Sequence, residues 1–268
     1  MQDRYAGDVG DFGKFGLLRH LCGKTATDSH PHLKPGVIWY RVADETHNAD
    51  GECVEYLEKS APNDQHFRAC DETLYDALAK MVLQDNDRSI AALERAALLP
   101  EAAYWRDDVR YGKNQITCPR NDWFNSALEK AAGCGLVFVD PDNGMECANL
   151  LPTQHQSRKY VFLSEVRSLV ECKPRPSLVI YHHMDKTKGT AEEKTERRLK
   201  CLSKALGLSL TEQPFGVLFR RCTVRSFLVL PASEHRLTLL NRTEELVAKW
   251  NDAWGKRKPE HFTGPIMV

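Results

Sequence analysis

Gly135-Leu-Val-Phe-Val-Asp-Pro-Asp-Asn-Gly-Met-Glu146 is the stretch of sequence that decides the fold. The four apolar residues after its first glycine show no polar alternation, which is typical of a strand buried on both faces of a parallel sheet. The strand ends abruptly, because Pro141 cannot donate to a sheet ladder and Asn143-Gly144 favours a tight turn. Ligands of open α/β sheets bind at the carboxyl ends of strands, so we expect a functional site here rather than an ordinary acidic turn.

Other segments continue the alternation of strands and helices. Apolar or β-branched runs predict strands at 36–42, 66–70, 136–139, 159–163 and 177–181, and runs at 217–221 and 226–230 predict a hairpin. Amphipathic spacing predicts helices between them, including Asn121–Ala132. We therefore predict an α/β fold, a Rossmann-like, mostly parallel sheet with helices on both faces and a C-terminal antiparallel hairpin. Residues 1–268 form one domain in this prediction, with a helical insertion near 70–100.

Composition argues against several classes of protein. The chain has 268 residues, 42% of them hydrophobic, which suffices for one large core. Its 37 basic and 37 acidic residues cancel, so nucleic-acid binding would have to come from local patches. The nine cysteines include no CxxC pair, which argues against a zinc finger and suits reduced thiols better than a disulfide framework. The chain starts without a signal-peptide core and contains no apolar run of about 20 residues, so we expect a cytoplasmic protein without a membrane partner.

The segment from Gly7 to Cys22 combines a glycine-rich start with helical spacing of apolar residues. Asp8 or Asp11 is placed to cap the helix, and Lys14 then lies in its first turn. Three glycines in seven residues destabilise a helix by about 1 kcal/mol each relative to alanine. We therefore expect a ligand or a second backbone to approach this segment closely.

Polar residues follow the first two predicted strands. Asp44, Glu45, His47 and Asp50 lie in the loop where doubly wound sheets bind nucleotide cofactors, and a solvated polar loop is the alternative. Asp71 follows the second predicted strand, where an acidic residue commonly binds a ribose, but it is also placed to cap the next helix. Arginine, lysine and aromatic residues interleave between positions 104 and 113, a pattern that can contact nucleic acid.

Three segments share their order with a known family. They are Gly7-Asp8-Val9-Gly10-Asp11-Phe12-Gly13-Lys14, Glu45-Thr46-His47-Asn48-Ala49-Asp50-Gly51 and Asp140-Pro141-Asp142-Asn143. They resemble the Gly-Asn-x-x-Asp-x-x-Lys, Asp-Thr-His-Ala-Gly-Ala-Gly and Asp-Pro-Pro-Tyr motifs of the bacterial large-subunit rRNA adenine-N6 methyltransferases, within the class I S-adenosylmethionine-dependent methyltransferases. The chain departs from the family's glycine loop at Ala49 and Asp50, and Asn143 replaces the tyrosine that stacks on the base.

The resemblance implies S-adenosylmethionine as cofactor and methyl transfer to an amine, on a nucleobase of RNA in preference to DNA. Cofactor contacts would come from Asp8, Lys14, Glu45, Thr46, His47, Gly51 and Asp71. The catalytic set would be Asp140, Pro141, Asp142 and Asn143, with Asp140 and the Pro141 carbonyl orienting the amine. Methyl transfer depends mainly on alignment of nucleophile and methyl group, and a base inside a duplex would have to be flipped out.

Two other functions fit the same residues. Asp140, Asp142 and Glu146 offer hard oxygen ligands for Mg2+ or Mn2+, and His182, His183 and Asp185 follow a second strand that can lie beside the first. Convergence of the two clusters predicts a metal-dependent nuclease or phosphoesterase. Adjacent histidines on a strand point to opposite faces, which leaves at most one as a ligand. The altered glycine loop also fits a non-catalytic, nucleic-acid-associated binding protein.

Overall fold

The computed structural model describes residues 1–23, 32–46, 51–58, 64–112 and 119–268. The strands are Pro35–Trp39 (β1), Ala103–Trp105 (β2), Leu136–Asp140 (β3), Gly144–Met145 (β4), Tyr160–Val161 (β5), Ser177–His183 (β6), Phe215–Arg221 (β7), Thr223–Leu230 (β8) and Phe262–Ile266 (β9). The helices are Val9–Cys22 (α1), Asp64–Cys70 (α2), Glu72–Ala79 (α3), Ile90–Arg95 (α4), Pro119–Ala131 (α5), Leu163–Glu171 (α6), Ala191–Leu206 (α7) and Arg236–Trp254 (α8).

Seven strands form one sheet in the order β2-β1-β3-β6-β8-β7-β9, and β4 and β5 form a separate parallel ribbon. The first four strands of that order are parallel to one another. Each of the last three runs antiparallel to the strand before it. The predicted Rossmann-like α/β fold with a C-terminal antiparallel hairpin is thus confirmed.

The central strand β3 is buried on both faces, as its sequence predicts. Leu136 and Phe138 join the core formed with α1, α3 and α8, whereas Val137 and Val139 join the core formed with α5, α6 and α7. Each fully buried side chain of this kind stabilises the fold by about 1.5–3 kcal/mol. The strand therefore fixes the middle of the molecule, and its carboxyl end at Asp140 lies 2% exposed.

The glycines of α1 admit large side chains rather than a ligand or a second backbone. A Cβ atom on Gly13 would lie 2.5 Å from the ring of Phe219, and one on Gly16 would lie 2.2 Å from the ring of Trp250. Glycine at these positions lets the helix pack directly on β7 and α8. The predicted approach of a second backbone is therefore wrong at these glycines, because side chains of the protein's own core approach them instead.

The second strand of the sheet is not the one that the sequence predicted. Residues 66–70 form part of the helix α2, in which Phe67 is buried against Trp254 of α8. The strand beside β1 is Ala103–Trp105 instead. A five-residue mixed run such as 66–70 lacks the length to show its period, so tertiary packing decides between helix and strand.

Several smaller elements also differ from expectation. One of the helices predicted between strands, from about Glu52 to Lys59 by its position after the first strand, is only a 3-10 turn, Glu55–Leu57, within its described part. The strand expected at 159–163 is the two-residue β5, because α6 begins at Leu163. The last strand, β9, was not predicted, since its Gly264 and Pro265 are residues that weaken a strand prediction.

Cysteine pairing also differs from the expected set of reduced thiols. Cys53 and Cys222 form a disulfide between residues 169 positions apart, with their Cα atoms 6.7 Å from each other. Six other described cysteines are free thiols. Sequence spacing could not indicate the pair, because it joins the segment after β1 to the turn between β7 and β8.

Candidate functional site at the carboxyl edge of the sheet

The turn after β3 depends on a glycine. Gly144 has a φ of +104°, and a Cβ atom there would lie 2.2 Å from Nδ1 of His182. Only glycine fits this conformation and this close approach. The backbone N–H of Met145 then donates to Nδ1 of His182 over 3.2 Å, which fastens β4 to β6. The Asp-Pro-Asp-Asn-Gly segment is thus folded back over the carboxyl edge of the sheet.

Asp140, at the end of β3, belongs to a buried ion cluster. Nζ of Lys14 lies 2.9 Å from a carboxylate oxygen of Asp140 and 2.6 Å from one of Asp11. Burial opposes a charged lysine, but the two carboxylates raise the pKa of Lys14 above its ordinary value. Burial also raises the pKa of Asp140, and Lys14 counters part of that effect. Lys14 therefore stays charged and holds Asp140 in place.

Asp8 caps α1 and joins a second ion pair. Its Oδ1 accepts the backbone N–H of Asp11 over 2.9 Å, which confirms one of the two predicted caps. Its Oδ2 accepts from Arg225 of β8 over 3.3 Å. Burial raises the pKa of Asp8, and Arg225 opposes that rise. Nε of Arg225 also lies 2.5 Å from where a Cβ atom on Gly10 would be, so the guanidinium covers the first turn of the helix.

Asp142 lies on the other side of the turn and anchors a separate polar network. Its Oδ2 accepts from Nε2 of Gln2 over 2.9 Å and lies 3.2 Å from Nζ of Lys159. Burial opposes ionisation of Asp142, but the Met1 ammonium, Gln2 and Lys159 together lower its pKa. Lys159 also pairs with Glu45 over 2.5 Å. This network joins the exits of β1 and β3.

A cleft of about 590 Å3 opens beside this network. Its lining consists of Val42, Ala43, Asp44, Glu45, Asn143, His155, Gln156, Arg158, Lys159 and Tyr160. Carboxylates, cations and an aromatic ring therefore face one concave space at the carboxyl ends of β1 and β3, which is where open α/β sheets bind ligands. The site is held by the β4–β5 ribbon, in which the N–H of Asn143 donates to the carbonyl of Lys159 over 2.8 Å.

Basic and aromatic side chains form the rim of the cleft. The Arg158 guanidinium lies 4.8 Å from the ring centre of Tyr111, and the rings of Tyr111 and His155 are 5.3 Å apart, edge to face. Tyr111 belongs to the interleaved stretch singled out in the sequence, whereas His155 and Arg158 lie in none of the motifs selected there. Their charge and aromatic faces make the rim suited to a nucleobase or a phosphate.

A second concavity of about 390 Å3 follows β1 and β2 and is lined by Arg41, Arg106, Asp107, Asp108, Val109 and Arg110. Asp107 and Asp108 follow the true second strand of the sheet. Acidic residues at that position are the ones that bind a ribose in doubly wound folds. The sequence missed them because the strand before them is only three residues long.

The predicted cofactor residues divide into three groups. Glu45 lines the cleft, whereas Lys14 lies in the buried ion cluster and Asp8 pairs with Arg225 beside it. Thr46 is exposed, and Gly51 packs on Tyr5, 2.5 Å from where its Cβ atom would be. His47 lies outside the described residues.

Asp71 is not at the sheet edge, because the strand predicted before it is the helix α2. Its side chain caps α3 by accepting from the N–H of Leu74 over 3.0 Å, which is the other role that the sequence allowed. It also pairs with Arg19 over 2.8 Å. Its predicted contact with a ribose therefore loses its structural basis.

The predicted catalytic residues are brought together in part. Asp140 and Asp142 both lie at the turn, but their carboxylates bind different partners. Asn143 alone of the four lines the cleft, where its side chain contacts the Tyr160 phenol. Pro141 is buried between them.

The alternative metal cluster does not form within the described part of the chain, where no group of three His, Cys, Asp or Glu residues could hold an ion. Glu146 accepts the N–H of Leu163 over 2.8 Å. His182 accepts from Met145, and burial lowers its pKa to about 3. Asp185 accepts from the N–H of Thr187 over 2.9 Å, and His183 points from an exposed position on β6. Among the described residues, the two predicted sets of ligands thus do not combine into one metal site.

Comparison of the chain with protein-family models, with curated proteins and with solved structures gives no match. Among the described residues, no helix combines the length and the apolar character needed to cross a bilayer.

Proposed function

We propose that the protein is an S-adenosylmethionine-dependent N-methyltransferase that acts on a nucleobase amine, in RNA in preference to DNA. The observation that carries the proposal is the cleft of about 590 Å3 at the ends of β1 and β3, in a sheet that ends with an antiparallel hairpin. The sequence resemblance implies both the hairpin and this position for the ligand. We also propose a cytoplasmic location: six of the eight described cysteines are free thiols, which persist there, although Cys53 and Cys222 are paired.

The groups that line the cleft fit such a cofactor chemically. Lys159 and Arg158 suit its carboxylate, Glu45 and Asp44 suit its ammonium group or ribose hydroxyls, and Tyr160 offers a face to the adenine. The cavity volume falls within the range of about 300–1,000 Å3 usual for small-molecule sites. When bound, the cofactor would supply an electrophilic methyl group.

The chain's own residues would position the acceptor. Asn143 lines the cleft and carries an amide oxygen that can accept a hydrogen bond from an amine, as can the carbonyl of Pro141. Such bonds direct the lone pair of the nitrogen and raise its electron density. Asp140 would support these groups rather than bind the amine itself, because Lys14 holds its carboxylate. Alignment of this kind supplies most of the rate that such a transfer needs.

Calorimetric titration without metal ions tests cofactor binding. We expect S-adenosylhomocysteine to bind with micromolar affinity and Lys159→Gln to weaken binding by about tenfold or more, because a charge-assisted hydrogen bond is lost. Lys188→Gln, an exposed lysine near the carboxyl end of β6 and outside the cleft, is the matched control and should bind as the wild type does. Absence of heat at millimolar ligand would refute the proposed cofactor.

Transfer to nucleic acid is tested with methyl-labelled cofactor and total RNA or single-stranded DNA. We expect label on an exocyclic amine, more in RNA than in DNA, and a large loss of turnover in Asn143→Ala with the affinity for S-adenosylhomocysteine retained. Equal turnover in Asn143→Ala and wild type would remove that residue from the mechanism.

The burial and ion pairing of Asp140 favour a second candidate function, that of a non-catalytic nucleic-acid-associated binding protein. Asp140 is 2% exposed, and its carboxylate is already paired with Lys14. If the protein binds RNA but transfers no label under any condition of the assay above, this second function replaces the first.

A further inference from the structure

The Cys53–Cys222 disulfide joins two elements that meet at the start of α1. Cys53 is half-buried, and its carbonyl accepts the N–H of Val9 over 2.9 Å. Cys222 is exposed and is the single residue between the paired ends of β7 and β8. The covalent bond therefore ties the tip of the terminal hairpin to the segment that supports the first turn of α1.

The hairpin tip closes the ion cluster through Arg225. Its Nη1 donates to the carbonyls of Arg221 and Thr223 over 2.8 and 3.2 Å, so the guanidinium is fixed to the tip itself. Its Nη2 donates to Asp8, and the two side chains are only 11% and 9% exposed. Asp8 in turn contacts the helix N-terminus above Lys14. A displacement of the tip would thus uncover Asp8 first and the cluster behind it next.

Cys222 has a backbone conformation that a free chain disfavours and that the disulfide can hold. Its φ is +59°, in the left-handed region that residues other than glycine rarely adopt. Because Cys222 is exposed, a small thiol can reach its sulfur, and exposed disulfides are commonly the reversible ones. The backbone of the hairpin tip is therefore constrained, and its disulfide is open to thiol–disulfide exchange.

We propose that the Cys53–Cys222 disulfide is a reversible latch, and that its reduction by a dithiol frees the hairpin tip and opens the Asp8–Arg225 pair, and behind it the ion cluster of Asp11, Lys14 and Asp140, to solvent. A thiolate of the dithiol attacks the sulfur of Cys222, the S–S bond breaks, and Cys53 leaves as a thiolate and takes up a proton. The second thiol of the reductant then displaces Cys222, so the protein gains two thiols and the reductant becomes a disulfide. The proposal concerns access to the cluster and does not rest on methyl transfer.

Hydrogen–deuterium exchange read by mass spectrometry tests the latch without any cofactor. The purified protein is compared after air oxidation, after treatment with dithiothreitol and after reoxidation, and peptide mapping determines the pairing in each state. On reduction we expect exchange to accelerate by about tenfold or more in peptides from 8–15 and 219–226, while peptides from β3 remain protected. Reoxidation should restore the slow exchange.

Matched variants separate the latch from a general effect of thiols. Cys222→Ser should exchange rapidly in these peptides with or without dithiothreitol, whereas Cys147→Ser, which removes an exposed free thiol, should behave as the wild type does. The proposal is overturned if the oxidised protein lacks the Cys53–Cys222 pair, if reduction leaves exchange at 8–15 unchanged, or if protection of β3 is lost to the same extent.

Discussion

At the scale of single residues, the main feature of the molecule is its set of buried charged side chains. Lys14 lies between two carboxylates at 2.6 and 2.9 Å in a region that excludes water. An ion pair of this kind adds little stability compared with a well-packed apolar core, but removing one partner leaves a buried charge uncompensated. The cluster therefore makes the fold sensitive to conservative changes at the site, including changes that preserve shape.

Replacement of Asp140 by asparagine tests this sensitivity. We expect Asp140→Asn to lower the free energy of unfolding by about 1.5–3 kcal/mol, because Lys14 loses one of its two charged hydrogen-bond acceptors and keeps only Asp11. The measurement is urea denaturation at neutral pH. Asp122→Asn, an exposed acid on α5, serves as control and should change the value by no more than about 0.5 kcal/mol. Similar values for both variants would show that the cluster is not energetically special.

His182 should make stability depend on pH. Burial lowers its pKa to about 3, whereas an unfolded histidine titrates near 6.5. Its contribution is complete above pH 6.5, and it is lost as pH falls from 6.5 towards 3, because only the unfolded chain then takes up the proton. We expect a slope of about 1 kcal/mol per pH unit from this residue around pH 5.

Denaturation at pH 7 and pH 5 measures that slope. His182→Asn keeps a hydrogen-bond acceptor for Met145 but cannot titrate, so the change in unfolding free energy between the two pH values should shrink. His183→Asn, at the exposed neighbouring position, should change it much less, because burial rather than His183 is the largest cause of the lowered pKa of His182. An unchanged slope in His182→Asn would assign the pH dependence to other groups.

At the scale of elements, α1 shows why glycines occur inside a helix. Gly10, Gly13 and Gly16 lie one turn apart and face Arg225, Phe219 and Trp250. Each glycine lowers helix propensity by about 1 kcal/mol, and the close packing of large side chains offsets that loss. The glycines would weaken α1 as an isolated helix, but in the folded protein they allow the close packing that stabilises it.

Gly16→Ala is expected to destabilise the protein, although alanine favours helix formation. The added Cβ atom would lie 2.2 Å from the Trp250 ring, and overpacking of this kind costs about 1–3 kcal/mol. Thermal denaturation followed by circular dichroism measures the effect. Trp250→Phe makes room for the added methyl group. Gly16→Ala should therefore lower the melting temperature less in the Trp250→Phe background than in the wild-type background. A stabilised Gly16→Ala would mean that Trp250 moves aside freely.

At the scale of the whole molecule, β9 completes the sheet. It pairs with β7, which would otherwise be an open edge, and its Phe262 is fully buried against Trp250 and Phe219. An exposed edge strand is a template for pairing with another chain. The C-terminal strand thus protects the antiparallel half of the sheet.

Truncation after Glu260 should therefore cause association. We expect the shortened protein to elute as oligomers or aggregates in size-exclusion chromatography, because β7 is uncovered and the Trp250 cluster loses Phe262. Removal of Met267 and Val268 alone, which are each 44% exposed, is the control and should leave elution unchanged. A monomeric truncated protein would show that β9 is dispensable for closing the edge.

The sequence by itself determined the parts of this protein whose signals are local. The apolar run before Asp140 and the two strands of the terminal hairpin follow from periodicity and turn chemistry, and the structure confirms them. The sequence narrowed the cap of α1 to Asp8 or Asp11, and the structure selects Asp8. Short elements carried no such signal. Residues 66–70 and 103–105 are too few to show a period, so their packing partners decided that the first is helical and the second extended.

Only the tertiary structure decided which polar groups share a site. It placed Lys14 on Asp140, joined Gln2 and Lys159 to Asp142, and paired Cys53 with Cys222, contacts that span between 17 and 169 positions of the chain. Spacing along a sequence says nothing about such distances once the chain is folded. The reason is physical: buried charges and thiols find their partners through the sheet and helices that carry them, and those elements meet only after the core has formed.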